Sequence, residues 1–131
     1  MKKVVFEELV IYKEARKYRK RLRKVAQTLP KKERDRLGYD LIDSSRAISI
    51  IIAKGNASSL SENIYSCETA IAFAAETMDM LIIAYDEGYI KKAHLNKYRR
   101  WHKKLTESIS RYLVFLRKQS SIVSKASSPV F

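Results

Sequence analysis

Apolar residues recur at alternating spacings of three and four along most of the chain, the pattern of helices that each bury one stripe. In the first run, predicted over about Val4 to Thr28, residues Ile11, Ala15, Tyr18, Leu22, Val25 and Leu29 share one face. Pro30 marks where this helix stops and the next begins, since proline lacks the N–H of a helix interior but is tolerated in a first turn. A second helix, unbroken from Lys32 to Ala53, stacks Leu37, Leu41, Ile48 and Ile52 on one face. It closes at Lys54-Gly55-Asn56, where glycine suits a left-handed cap.

Ser59-Leu60-Ser61-Glu62 reads as a capping box opening a third helix over Leu60 to Asp86. Its seam is Ile64, Cys67, Ile71, Ala74, Met78, Leu81 and Tyr85. The fourth helix, Lys91 to Ser120, carries Leu95, Tyr98, Leu105, Ile109, Tyr112 and Leu116, with His102 on the same stripe as a hydrogen-bonded core residue. Short connections between four helices predict an all-α, antiparallel up-and-down bundle. It should occupy residues 1–121, with the Ser-rich segment 122–131 as a disordered tail.

The apolar pattern exceeds what one seam per helix requires. Ile50 points away from the second stripe, and Tyr65, Phe73, Met80 and Ile83 lie off the third. Such surplus either covers neighbouring helices of the same chain or forms a protein interface.

Charge changes the picture more than composition does. The 131 residues carry a net charge of +13, with only three glycines and two prolines. Residues 1–28 carry +7, residues 29–55 carry +2, residues 56–90 carry −6 and residues 91–131 carry +10. On the first helix Lys13, Lys17, Lys20 and Lys24 repeat opposite the core stripe, with Arg16, Arg19 and Arg23 beside them. A solvated outer face would mix in glutamates, because like charges at i,i+4 repel. A face of one sign fits contact with a polyanion. The fourth helix opposes its core with Lys92, Arg99, Arg100, Lys103, Lys104, Arg111, Arg117 and Lys118. Trp101 stands at its edge, either packing between helices or stacking on bases.

No catalytic or cofactor chemistry assembles from the pattern. Glycines at 38, 55 and 88 build no phosphate loop, and His94 and His102 lack metal-pair spacing. Cys67 has no base near it in sequence and reads as a core residue. The expectation is a protein that is not an enzyme and holds no metal or cofactor. A single cysteine, no apolar run of the roughly 18 to 20 residues that span a bilayer, and Glu7 and Glu8 where a leader would be apolar suggest a soluble, cytoplasmic protein without a membrane role.

Pro30-Lys31-Lys32-Glu33-Arg34-Asp35-Arg36-Leu37-Gly38 resembles the P-K-x-E-R-x-x-L-G signature of accessory variability determinant (Avd) proteins of diversity-generating retroelements. Ile52-Ala53-Lys54-Gly55 and Gly88-Tyr89-Ile90 match as well. These two features, with Phe6, Leu9 and Ala15, also resemble the sister family encoded by intervening sequences of bacterial large-subunit ribosomal RNA genes. The chain departs from both. Leu113-Val114-Phe115 stands where Avd proteins often carry a small-small-Trp pattern, and Ser49 and Ile51 stand where the sister family shows proline and asparagine. For either branch the resemblance implies a homopentameric barrel of bundles. For the Avd branch it implies a basic surface binding RNA or DNA and a partner reverse transcriptase, without catalysis of its own. The alternative is a structural or interaction module that meets an acidic protein.

Overall fold

The computed structural model describes residues 5–127, and every regular element among them is helical. Four long helices form the bundle: α1 (Val10–Thr28), α2 (Tyr39–Asn56), α3 (Leu60–Asp86) and α4 (Lys92–Ser127). Around the bundle α1 packs on α2, α2 on α3, α3 on α4 and α4 on α1, so that α1 and α3 face one another across the core.

One helix start differs from expectation by more than a residue, the second helix contains an unexpected π turn, and the last helix runs on further. The first helix begins at Val10, preceded by a 3-10 turn, Phe6–Glu8, and an extended Leu9. This bend lets Phe6 fold back edge-on to Tyr12, ring centroids 4.9 Å apart, which residues six apart on a straight helix could not do. After Pro30 the backbone is helical throughout, Lys31–Glu33, a π-helical turn over Arg34–Gly38 and then α2, so the expected unbroken second helix is present with a π turn in its first half. The chain turns at Leu29 and Pro30, both extended, and the signature segment opens the second helix, held by a bond from Arg34 Nε to the Leu29 carbonyl at 3.0 Å, with Gly38 set against Ala26 of α1. The π turn adds a residue to the helical register and leaves Leu37 only half-buried while Leu41 is fully covered. At the other end α4 continues to Ser127, so residues 122–127 are helical where a tail was expected. Residues 128–131 of that tail lie outside the described residues.

Ser59 caps α3 as expected, its hydroxyl accepting from the Glu62 N–H at 3.3 Å. The left-handed glycine is Gly88 and not Gly55. With φ at +81°, Gly88 ends α3 in a Schellman turn: its N–H reaches the Tyr85 carbonyl and the Tyr89 N–H reaches Ala84. Gly55 lies inside α2, where a Cβ would come within 2.6 Å of Ser66 Cβ and 2.9 Å of Asn63 Oδ1 on α3. It is there for close approach of two helices.

The core stripe of α1 is as predicted. That of α3 is rotated: Asn63, Ala70, Thr77 and Ala84 are buried beside Cys67, Ala74, Met78 and Leu81, whereas Ile64, Ile71 and Tyr85 are half-buried. Small residues on α3, with the buried Ser44, Ser45 and Ser49 of α2, allow the two backbones to approach closely. Ser45 and Ser49 satisfy their hydroxyls on the carbonyls of Ile42 and Arg46. Across the core, Tyr18 Oη meets Thr77 Oγ1 at 2.7 Å. Because Thr77 donates to the Ala74 carbonyl, Tyr18 is the donor in that pair, and burial pushes its hydroxyl pKa up to about 12.

Candidate nucleic-acid interface

Helical periodicity turns the core stripe of α1 inward and leaves the opposite side to cations. Lys13, Arg16, Lys17, Lys20, Arg23 and Lys24 are all exposed, and none forms an ion pair among the described residues. Glu7, on the turn before α1, shares a shallow cleft of about 480 Å³ with Lys13, Arg16, Lys17 and Lys20, so the face is not wholly without a carboxylate. On α4, Arg99, Arg100, Lys103, Lys104 and Arg111 are exposed too. Two of these have partners: Lys103 with Glu107 at 3.9 Å, and Lys104 with Glu14 of α1 at 3.8 Å. The Lys103 contact is open to water and contributes little to stability, while Glu14 in the other is half-buried.

The structure adds cations that the sequence pattern does not join to this face. Arg46 of α2 meets Arg19, Lys20 and Arg23 of α1 around a cleft of about 300 Å³. One guanidinium nitrogen of Arg19, Nη1, is buried there without a hydrogen-bond partner. On the other flank, the Arg21 guanidinium lies 4.7 Å from the Trp101 ring centre and the Lys97 ammonium 5.2 Å. No linear pattern links Arg46 to α1 or Arg21 to Trp101, since each pair meets only through helix packing.

The acidic segment ends up on the far side. Glu62, Glu68, Glu76, Asp79 and Asp86 are exposed on α3, across the core from α1. One ion pair, Arg117 to Glu68 at 3.3 Å, joins α4 to α3. The molecule is thus electrically two-sided.

Of the residues expected at a protein interface, Ile50, Tyr65 and Ile83 are exposed, at 56%, 71% and 37%. Phe73 and Met80 are half-buried against the core and serve the bundle. Val114, Phe115, Ile122 and Val123 on α4 are exposed apolar residues that the seam analysis did not single out. His102 departs from expectation as well: it is half-buried, its Nε2 is buried with no hydrogen-bond partner, and burial lowers its pKa. Cys67 is fully buried, and burial with the nearby Glu68 carboxylate pushes its thiol up to about 11, the reverse of what a nucleophile needs. No described helix is long and apolar enough to cross a membrane.

The molecule is a four-helix bundle with one long cationic side and an acidic side opposite. Residues 7–111 match the family of 23S rRNA-intervening sequence proteins, and the chain belongs to that family. No curated protein gives a significant match.

Proposed function

We propose that this protein binds RNA or DNA through phosphate contacts along α1 and the adjoining cations of α4, without catalysing a reaction. The observation that carries this reading is the set of six exposed, unpaired cations on the outer face of α1. Their mutual repulsion destabilises the free helix by a few tenths of a kcal/mol per neighbouring pair, and a polyanion would reverse it.

The test is the triple variant Lys17→Glu, Lys20→Glu, Lys24→Glu, assayed with structured RNA and duplex DNA across a salt series. Wild-type affinity should fall with salt with a log–log slope of about −3 or steeper, as for four or more phosphates at roughly 0.7 to 0.9 each. The variant should lose binding while melting at the same temperature or slightly higher, since its new attractive pairs with Lys13, Arg16, Arg21 and Arg23 at i,i+3 and i,i+4 outnumber the repulsive ones at positions 14/17, 17/20 and 20/24. Binding that survives the reversal would refute the assignment.

The finer form of the reading is a homopentameric accessory protein of a diversity-generating retroelement, with a reverse transcriptase as partner. Its support is the resemblance of Pro30–Gly38 to the Avd signature, together with the exposed Ile50, Tyr65 and Ile83 available for self-association. Retention of the element's reverse transcriptase on the immobilised protein checks it. A protein partner retained equally after nuclease treatment, and not a reverse transcriptase, would favour the interaction-module reading that the same apolar residues support.

A further inference from the structure

Between α1 and α4 runs an open groove of about 450 Å³ with Trp101 in its wall. His94, Tyr98 and Trp101 stand one turn apart along α4, with centroid distances of 6.3 Å from His94 to Tyr98 and 5.0 Å from Tyr98 to Trp101. Arg21, Lys24, Val25 and Thr28 of α1 face them, and Lys97 joins from α4. The lining therefore combines an aromatic series with three cations and contains no carboxylate. Its volume falls in the range of small-ligand sites, roughly 300 to 1,000 Å³.

We infer that this groove is a stacking subsite for an unpaired base of a single strand, with Trp101 as the platform and Arg21, Lys24 and Lys97 holding the adjoining phosphate. The inference rests on the nucleic-acid reading above and narrows it. Arg21 and Lys97 now sit at the indole, a favourable place for a cation in the free protein. A base stacking on the indole displaces one of them, and the displaced cation is already beside the strand's phosphate. Sequence-tolerant binding of single strands combines these two elements, a cationic track and aromatic platforms. A duplex cannot use the platform, because its bases are already paired and stacked.

Trp101 is the only tryptophan in the chain, so its fluorescence reports on this groove alone. The full chain is titrated with an unstructured single-stranded RNA oligomer, a duplex RNA of the same length, inorganic polyphosphate as a base-free polyanion, and adenosine monophosphate. Binding is followed in parallel by a method independent of the indole. The single strand should quench Trp101 saturably, while duplex and polyphosphate bind with little change in its emission. Trp101→Ala should weaken single-strand binding about tenfold or more and leave polyphosphate binding unchanged, with Trp101→Phe keeping most of the affinity and unaltered helix content verifying each fold.

Single-strand binding without quenching beyond that of polyphosphate, or unchanged by Trp101→Ala, would overturn the subsite and leave the phosphate-contact reading standing. Saturation by adenosine monophosphate at concentrations as low as those of the strand would overturn the strand assignment in favour of a free nucleotide. No binding of any polyanion would refute the broader reading and the subsite with it.

Discussion

His102 shows how one residue can satisfy a sequence pattern and still leave its chemistry unmatched. It falls on the apolar stripe of α4, where a hydrogen-bonded histidine would be expected, yet its Nε2 is buried without a partner. Burial favours the neutral ring, so its pKa is lower in the folded chain than the ordinary 6.5. Between that lowered value and 6.5 the unfolded chain binds more protons, so stability is lost as pH falls through this window. Above 6.5 both states hold the neutral ring and the effect vanishes. The wild type should therefore lose urea resistance between pH 7 and pH 5 by more than His102→Phe does. Equal losses would show that His102 is not the group responsible. Trp101 has the opposite history: its place at the edge of the stripe is evident in the linear pattern, but Arg21 and Lys97 at its ring are not. The i,i+4 spacing makes Lys97 a neighbour on α4, whereas Arg21 arrives only through the packing of α1 on α4.

At the scale of the helices, spacing carries the four long helices and the core stripe of α1, Ser59 with Glu62 the start of α3, and Pro30 the break after α1. What it could not carry is set by contact between elements. The expected stripe of α3 shares Cys67, Ala74, Met78 and Leu81 with the observed core but adds the large Ile64, Ile71 and Tyr85, because hydrophobicity ranks them above Ala70, Thr77 and Ala84. Packing on two neighbours reverses the order, since only small side chains fit where α2 comes close. Gly55 follows the same logic, and close packing reverses the sign expected of a glycine in an open helix. A glycine inside a helix with free space around it gains roughly 1 kcal/mol on becoming alanine. Here the added methyl meets Ser66 and Asn63 at 2.6 and 2.9 Å, so the helices must part. Gly55→Ala is expected to cost about 1–3 kcal/mol, as overpacked cores do, read as a lower urea midpoint at unchanged slope. A raised midpoint would show that the methyl is accommodated and that close approach of the helices does not require Gly55. The basic face of α1 was evident because it lies on one element. Its extension to Arg46 was hidden because that residue belongs to another.

For the whole molecule, charge and exposed apolar surface must be reconciled. Copies carrying +13 each repel, so assembly requires that unlike sides meet or that a polyanion be present. The two-sided distribution offers the first route: acidic α3, with Tyr65 and Ile83, can pair with a neighbour's flank holding Ile50 and Lys54. Such a contact joins different patches on the two copies and generates a ring if its rotation closes. It leaves the outer face of α1 free on every copy, so each added subunit multiplies weak phosphate contacts. The full chain should then run in solution at several times its 15.2 kDa, and high salt should shift it toward the single chain. Ile50→Asp with Tyr65→Asp should yield a folded 15.2 kDa species, since both side chains lie outside the core. Its affinity for long RNA should drop far more than its affinity for a fragment spanning one subunit, because avidity depends on repetition while a single contact does not. A wild type already at 15.2 kDa would remove the ring and assign the exposed apolar residues to another partner.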